Sequence, residues 1–306
     1  MILAALAREK ALLADGAMGT QLQNRGLEPG GCGEHWNVTQ PGKVAEIHAA
    51  YAAAGADCLL TNTFGACAIT LERHGVDDQM AQINQEAVRV AREAFTATRT
   101  GDSASPTFVI GDVGPFGGLL NPYGDASHEE VRDAIRAQIR ALLAGGADAI
   151  LVETQTAVEE LAIGVECARE EGAATVIGSM AFDVLRKGDG VKTMMGIDPD
   201  EAARMMVDVG VDVLGANCGA GVGVEWMGRI AERYRKVADL PVWAKPNAGL
   251  PELEGANVVY RDTPEEMAAL LPQALDAGVS IFGGCCGTTP AHVQAFRAVI
   301  DDWNRR

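Results

Sequence analysis

A short pattern that recurs four times limits the fold of this chain more than any other feature of its sequence. In each copy a glycine ends a helix-like stretch and is followed by Ala or Val, by Asp or Ser, and by an apolar run; the copies start at Gly55, Gly146, Gly210 and Gly278. Glycine is favoured just after a helix, and each apolar run is short enough to be a strand buried on both faces. The pattern therefore predicts four joints between a helix and a parallel strand.

The rest of the chain supplies four more strands and the helices between them. The additional strands are predicted at Ala11 to Ala17, Thr107 to Gly114, Thr175 to Phe182 and Pro241 to Ala248. Helical spacing of apolar residues occurs at Pro41 to Ala54, Met80 to Thr98, Ser127 to Ala144, Asp198 to Val209, Val224 to Ala238, Pro264 to Ala277 and Pro290 to Trp303. Eight strands alternating with helices predict an α/β fold of the (β/α)8 TIM-barrel type, with a doubly wound open sheet as the alternative.

A single domain is expected over residues 1–306. The polar stretches 100–106 and 186–190 are short enough to be loops inside the repeat, so they do not indicate a domain boundary. Seven residues after the glycine of each joint stand Asn62, Glu153, Asn217 and Cys285. This fixed offset places the four at the C-terminal ends of parallel strands, which is the rim where barrel enzymes carry out their chemistry.

The charge balance narrows the classes of partner. The 306 residues contain 25 Lys and Arg against 42 Asp and Glu, a formal net charge of −17. Nucleic-acid binding is not expected, because it requires clustered basic residues. No apolar run approaches the roughly 18 residues of a membrane span, and the first residues lack a secretory cleavage pattern, so we expect no membrane contact and a cytoplasmic location.

Three cysteines are candidate metal ligands and catalytic groups. Cys218 follows the sixth predicted strand, and Cys285 and Cys286 follow the eighth, so a barrel brings all three to one rim. Three thiolates with one open position suit a catalytic Zn²⁺. Adjacent residues of a regular strand point to opposite faces, so Cys285 and Cys286 can share one ion only if the strand has ended or bulged. The alternative is that these cysteines are small buried hydrophobic residues, as we expect for Cys58 and Cys167.

Polar residues around the same rim are candidates for substrate binding. The turn from Asp15 to Thr20 contains two glycines and can present backbone N–H groups to a carboxylate or phosphate, with Asp15 as a partner for an amine. Glu153 ends an apolar strand, where a carboxylate needs a cation or hydrogen-bond donors; a structural salt bridge is the alternative. Asn217 and Asn247 either contact substrate or cap loops. The histidines are scattered, with His48, His74 and His292 expected on solvated faces, which argues against a Ser/His/Asp hydrolase.

These motifs together resemble the homocysteine S-methyltransferase family. The resemblance runs from about Leu13 to Val299 and is carried by Asp15-Gly16-Ala17-Met18-Gly19-Thr20, Thr61-Asn62-Thr63-Phe64, Val152-Glu153-Thr154, Gly215-Ala216-Asn217-Cys218-Gly219 and Gly283-Gly284-Cys285-Cys286-Gly287-Thr288. It implies a zinc-dependent (β/α)8 barrel in which the three cysteines bind Zn²⁺ and the homocysteine thiolate enters the remaining position.

The resemblance also implies roles for the other rim residues. The substrate carboxylate would be held by backbone N–H groups around Ala17, Met18, Gly19 and Thr20, and its ammonium by Asp15 and Glu153. In some members an asparagine that matches Asn247 fills the open zinc position until substrate displaces it. Trp36 matches a tryptophan that packs on the methyl donor in betaine-using members, as cation–π attraction to an onium group would favour.

The identity of the methyl donor is left open by the sequence. The segment from Gly30 to Asn37 is similar to short bacterial betaine-type members, which favours a small onium donor such as glycine betaine or a sulfonium. Against this, Gly65 stands where the animal betaine enzyme has a second aromatic residue. The segment from Pro246 to Pro251 resembles the homocysteine module of cobalamin-dependent methionine synthase, which implies a methylcorrinoid protein as partner; S-methylmethionine is a third donor.

Two other classes of function compete with methyl transfer. One is a zinc-holding barrel without turnover that serves as a binding or assembly module; the convergence of three thiols, two carboxylates and an anion-binding turn argues against it. The other is a zinc-dependent aldolase, whose site would favour histidine ligands that the strand ends lack. The oligomeric state is open.

Overall fold

The computed structural model describes residues 2–98, 106–186, 189–254 and 257–306, and most of the predicted loop at 100–106 and part of that at 186–190 lie outside them. The strands are β1 (Leu12–Leu13), β2 (Cys58–Leu60), β3 (Phe108–Val113), β4 (Ala149–Gln155), β5 (Val176–Met180), β6 (Asp183–Val184), β7 (Val191–Lys192), β8 (Val213–Asn217), β9 (Val242–Lys245), β10 (Glu252–Glu254), β11 (Asn257–Val259) and β12 (Val279–Phe282). The helices are α1 (Leu3–Glu9), α2 (Gly19–Gln23), α3 (Trp36–Thr39), α4 (Pro41–Ala53), α5 (Ala68–Glu72), α6 (Met80–Thr98), α7 (His128–Ala144), α8 (Val158–Glu170), α9 (Pro199–Asp208), α10 (Val224–Val237), α11 (Pro264–Asp276) and α12 (Pro290–Trp303).

Eight of these strands form one parallel sheet that closes on itself. Their order is β1-β12-β9-β8-β5-β4-β3-β2, and a parallel bridge between Ala14 and Cys58 joins the last strand to the first. Helices surround this ring, so the predicted (β/α)8 barrel is confirmed and the open-sheet alternative is wrong. The short hairpins β6–β7 and β10–β11 stand outside the barrel sheet.

The four predicted joints share one hydrogen-bonding arrangement at the N-terminal end of the barrel. Each joint glycine has a positive φ: 101° at Gly55, 93° at Gly146, 87° at Gly210 and 105° at Gly278. The Asp or Ser two residues later accepts a hydrogen bond from the backbone N–H of the preceding barrel strand. The pairs are Asp57 with Leu13 (2.9 Å), Asp148 with Val109 (2.7 Å), Asp212 with Val176 (2.7 Å) and Ser280 with Val242 (3.3 Å). The recurring polar residue therefore ties the strands together in four consecutive pairs.

The barrel interior is filled at the N-terminal ends of its strands. Inward-facing side chains such as Leu60, Ile110 and Trp243 form one buried cluster with Leu3 and Leu6 of α1, which covers the N-terminal end. Trp243 is the largest of these side chains and is fully buried. Because the N-terminal end of the barrel is packed, an open cavity can form only at the C-terminal ends of the strands.

The structure agrees with most of the predicted helices. The seven predicted helices are present with bounds within a residue or so, and Ser127 and Asp198 act as N-caps, accepting hydrogen bonds from the N–H groups of Glu130 and of Asp200 and Glu201. Among the elements the sequence analysis missed, α8 buries residues on more than one face and so lacks a one-sided apolar stripe. None of the helices in the described ranges is long and apolar enough to cross a membrane.

The expectation for two histidines is corrected. His48 is fully buried in α4, and burial lowers its pKa to about 4, so it is neutral. His292 is also buried and completes the capping of α12, where its Nδ1 accepts from the N–H of Thr289 at 3.2 Å. Cys58 and Cys167 are fully buried, as expected.

Candidate functional site

A cavity of about 340 Å³ opens at the C-terminal ends of the barrel strands. Its wall includes both predicted motifs, the turn after β1 and the cysteines after β8 and β12. The lining residues are Asp15, Gly16, Ala17, Met18, Gly19, Thr20, Leu22, Leu27, Gly31, Gly33, Glu34, Leu60, Thr61, Asn62, Thr63, Phe64, Asp112, Glu153, Thr154, Cys218, Lys245, Gly284, Cys285 and Cys286. This volume is of the size that suits a small metabolite.

The sulfur atoms of Cys218, Cys285 and Cys286 lie within 4.8 Å of one another. We call these three residues the thiol cluster. Backbone hydrogen bonds to the segment after β9 hold it together: the N–H of Cys218 donates to the carbonyl of Lys245 at 3.0 Å, and that of Cys285 donates to Pro246 at 2.7 Å. The main chain therefore fixes the positions of the sulfurs before any side chain contributes.

The adjacent cysteines can face one point because the strand has already ended. β12 stops at Phe282, and the chain then turns through Gly284 and Gly287. A Cβ at Gly284 would lie 2.4 Å from Thr288 Oγ1, and Gly287 has a φ of 80° and would place a Cβ 2.2 Å from the ring of Tyr260. Both positions require glycine, so the strand-alternation objection raised by the sequence does not apply here.

Two further side chains contact the thiol cluster. Asn247 Oδ1 accepts from the N–H of Cys286 at 3.1 Å, and its Nδ2 donates to the carbonyl of Gly219 at 3.2 Å, so the amide bridges the two cysteine loops. Asn247 also hydrogen-bonds the sulfur of Cys218. Tyr260 donates a hydrogen bond to the sulfur of Cys286, a contact that the sequence analysis missed.

The charges in the thiol cluster suit a bound cation. Hydrogen bonds from Cys285 and Cys286 lower the pKa of the Cys218 thiol, whereas the same contacts raise the pKa of Cys285 well above its usual range. A negative charge on one sulfur therefore disfavours a charge on its neighbours. A divalent metal ion allows all three to be thiolates, and the set of three sulfurs matches the ligands that zinc prefers.

In the same cavity a buried ion pair joins the turn after β1 to the end of β9. Lys245 Nζ lies 2.6 Å from Asp15 Oδ1, and Asp15 Oδ2 accepts from the N–H of Leu60 at 2.8 Å. Side-chain exposure is 4% for Lys245 and 2% for Asp15. Burial works to lower the pKa of Lys245, but the carboxylates of Asp15 and Glu153 outweigh it and the pKa is raised. Lys245 is therefore a cation, and both Asp15 oxygens already have partners.

Two more carboxyl groups lie beside this ion pair. Glu153 projects from β4, and burial raises its pKa to about 7. Asp112 projects from β3, and burial together with the charge of Glu153 raises its pKa well above the usual range. The carboxyl group of Asp112 contacts that of Glu153, while its Oδ1 has no hydrogen-bond partner. We call Asp15, Asp112, Glu153 and Lys245 the carboxyl cluster.

The turn after β1 packs between the two clusters. The N–H of Ala17 donates to Thr288 Oγ1 at 3.1 Å, and that hydroxyl donates to the carbonyl of Cys285 at 2.7 Å. Helix α2 begins at Gly19, so the N–H groups of its first turn have no acceptor within the helix. Of the predicted anion-binding residues, Met18, Gly19 and Thr20 line the cavity with their N–H groups outside this network, whereas the N–H of Ala17 is taken.

Three predicted substrate contacts are absent from the cavity lining: Asn217, Trp36 and Asn247, whose contacts with the cysteine loops are described above. Asn217 is fully buried, and its amide bonds the backbone N–H and the hydroxyl of Thr154 at 3.0 and 2.7 Å, so it supports a lining residue. Trp36 is 8% exposed, and the ammonium of Lys43 lies 4.5 Å from the centre of its ring. The aromatic side chain that lines the cavity within the described residues is Phe64.

Comparison with known proteins identifies the family. Residues 12–300 match the sequence profile described as "Homocysteine S-methyltransferase". The chain belongs to the homocysteine S-methyltransferase family. It is 34% identical over 97% of its length to methionine synthase of Mycobacterium tuberculosis, and 35% identical over 95% to that of Mycobacterium leprae. The chain spans about a quarter of the length of these curated relatives, 25% and 24% respectively.

A solved structure shares the architecture throughout. The metallated form of the homocysteine methyltransferase MmuM from Escherichia coli superposes with a TM-score of 0.79 at 27% identity, covering 97% of this chain and 98% of that one. The family resemblance inferred from the motifs is thus confirmed over nearly the whole chain.

Proposed function

We propose that this chain transfers a methyl group to the sulfur of homocysteine, which yields methionine. The observation that carries the proposal is the placement of the thiol cluster and the carboxyl cluster in the wall of one cavity at the barrel rim. The first group suits a metal that binds a thiolate, and the second provides negative charge for an amine. An amino acid with a thiol carries both of the groups that these two clusters recognise.

The residues that would hold a metal are Cys218, Cys285 and Cys286. Zn²⁺ bound there would supply a positive charge that keeps the homocysteine thiol, whose pKa is about 8.5 when free, deprotonated at neutral pH. Asn247 contacts Cys218 and bridges the two loops that carry these cysteines. This arrangement explains how a nucleophile can form although no histidine is among the described residues that line the cavity.

The chain's own residues would orient the amino-acid end of the substrate. Glu153 offers its carboxylate to the ammonium group, and the first-turn N–H groups of α2 offer donors to the carboxylate. Orientation of this kind is what a methyl transfer requires, because the attacking sulfur must approach the methyl carbon in line.

A methylcorrinoid carried by a partner protein is the donor that we propose. The onium donor expected from the sequence depends on Trp36, whose ring is packed by Lys43 and does not line the cavity. The names of the mycobacterial relatives also support the methionine synthase interpretation. A small onium compound remains the second candidate, since Glu34 and Phe64 line the cavity and would suit a cationic methyl donor.

Methionine formation by the zinc-loaded protein would test both the proposed methyl transfer to homocysteine and the proposed methyl donor. Homocysteine would be supplied with methylcobalamin, glycine betaine, a sulfonium compound or S-methylmethionine in parallel, and methionine measured by mass spectrometry. Turnover with methylcobalamin supports the proposed donor, and turnover with a small onium compound replaces it with the second candidate. The absence of methionine with every donor, and of any change in zinc coordination when homocysteine is added, would favour the binding-module alternative.

A further inference from the structure

The carboxyl cluster contains more acidic groups than its cation can neutralise. Lys245 is the one cation lining the cavity among the residues that the structure describes, and its Nζ is bonded to Asp15. The charge of Lys245 also acts on Asp112 and Glu153, but its ion pair is with Asp15, so one cation serves three carboxyl groups. Asp112 and Glu153 are both buried, with 5% and 7% exposure. Two adjacent buried carboxylates repel each other, so at most one of them is ionised before a cation arrives.

The contacts of Asp112 indicate which of the two keeps the proton. Its Oδ1 is buried without a hydrogen-bond partner, which costs an ionised carboxylate more than a neutral acid, and the carboxyl group that it contacts is that of Glu153. Its backbone is fixed on both sides, because its N–H donates to Thr61 Oγ1 at 3.0 Å and its carbonyl accepts from Thr63 Oγ1 at 2.7 Å. The charged groups that act on it are Glu153, Asp15 and Glu34, which favour the protonated form, and Lys245, which opposes it.

We infer that Asp112 is a positioning residue that remains protonated, aims Glu153 by a hydrogen bond, and leaves Glu153 as the single carboxylate for the substrate amine. This inference rests on the proposed function for the identity of that amine. Asp112 Oδ1, which lacks a partner, is then a neutral acceptor available to one of the three N–H donors of an ammonium group. The charges balance once substrate binds: Asp15 with Lys245, and Glu153 with the ammonium.

Two substitutions separate a neutral Asp112 from an ionised one. Asp112→Asn preserves the shape and can both donate to Glu153 and accept from an ammonium, whereas Asp112→Ala can do neither. The dissociation constants of homocysteine and of 4-mercaptobutyrate, which has the same thiol and carboxylate but no amine, would be measured calorimetrically on the zinc-loaded variants. We expect the dissociation constant of homocysteine for Asp112→Asn to stay within about threefold of the wild-type value, and that for Asp112→Ala to rise at least about tenfold. The dissociation constant of 4-mercaptobutyrate should be unchanged in both variants.

Other outcomes overturn the inference in distinct ways. If Asp112→Asn weakens homocysteine binding as much as Asp112→Ala does, Asp112 acts as a carboxylate. If both variants weaken the binding of 4-mercaptobutyrate as much as that of homocysteine, the role of Asp112 is structural.

A ligand-free measurement keeps the inference separable from the proposed function. Infrared spectra of zinc-loaded protein labelled with ¹³C-aspartate at neutral pH should contain the C=O band of a protonated aspartic acid that disappears in Asp112→Asn and persists in Asp15→Asn. Absence of that band from the wild-type spectrum would contradict the inference about Asp112 even if the protein binds homocysteine. Failure of the wild type to bind homocysteine, with the band present, would instead refute the proposed function.

Discussion

The thiol cluster and the carboxyl cluster face the same cavity but are held in place by different means. Backbone hydrogen bonds and glycines fix Cys218, Cys285 and Cys286, whose side chains are too short to reach far. The carboxyl cluster depends more on contacts of its own side chains, as in the 2.6 Å contact between Lys245 and Asp15. The difference implies that a substitution in the thiol cluster should remove a metal ligand while the surrounding backbone stays folded. A substitution in the carboxyl cluster should instead disturb the balance of buried charge.

The backbone of the thiol cluster is held under local strain. Cys218 has a φ of 56°, which is unusual for a residue other than glycine. The next residue, Gly219, would place a Cβ 1.7 Å from the carbonyl oxygen of Phe182. Strain of this kind persists only where the surroundings enforce it, and here it turns the Cys218 sulfur toward the other two.

The largest expected effect follows removal of a thiol ligand. Cys285→Ala or Cys286→Ala should lose zinc and reduce methyl transfer by more than about 100-fold, because even residues that only support metal ligands cost up to that much. Zinc content by mass spectrometry, activity and circular dichroism would be measured together. Cys167→Ala, which removes a buried thiol of α8 away from the rim, is the control and should retain zinc. Full activity in either rim variant would rule out the zinc proposal.

Breaking the buried ion pair should mainly cost stability. Lys245→Met leaves Asp15 charged and unpaired, and should lower the free energy of unfolding by about 3–5 kcal/mol in urea titrations. The double variant Asp15→Asn with Lys245→Met removes both charges and should recover most of that loss. Lys192→Met, at an exposed position, should change stability by less than about 0.5 kcal/mol. A double variant no more stable than Lys245→Met would show that the charge pairing is not what matters.

Replacing the proposed ammonium ligand should affect binding more than turnover. Glu153→Gln removes the negative charge but keeps the shape, and should raise KM for homocysteine by about 10- to 100-fold with a smaller change in kcat. The matched comparison is 4-mercaptobutyrate, whose KM should not move. An unchanged KM for homocysteine would place the ammonium elsewhere.

The smallest effect is expected outside both clusters. Trp36→Phe should leave KM for any methyl donor within about twofold of the wild type, because the indole packs against Lys43 rather than the cavity. Donor kinetics would be measured under saturating homocysteine. A donor KM raised tenfold or more for betaine alone would restore Trp36 as an onium contact and favour the second candidate donor.

The difference between the clusters also explains what the sequence could predict. Cysteine is rare, and Cys285 and Cys286 are adjacent, so the thiol cluster stands out once the strand ends are assigned. Asp112 and Lys245 belong to common residue types and lie in strands that lack the glycine joint, so no pattern marked them. Lys245 could have been found by the reasoning applied to Glu153, since a charged residue at the end of an apolar strand needs a partner.

The fold was more predictable than the contacts within it. The repeated glycine joints mark four places where a helix leads into a strand, and the apolar segments between them supply the other four strands of the barrel. Contacts such as that of Trp36 with Lys43 depend on how α3 and α4 meet, which no periodicity encodes. The hairpin β6–β7 was missed because each strand has only two residues.

The pairing of strands at the lower end of the barrel makes this chain a candidate for circular permutation. Each joint residue, such as Asp212 with Val176, bonds within a pair of strands, so the loops between pairs at residues 171–175 and 238–241 carry none of these bonds. Asn304 exchanges two hydrogen bonds of 2.9 Å with the backbone of Ala11, which brings the first and last parts of the barrel side by side. New chain ends in either loop would leave every two-strand unit and the whole upper rim covalently continuous, so the order in which the units are translated could be changed without rebuilding the cavity.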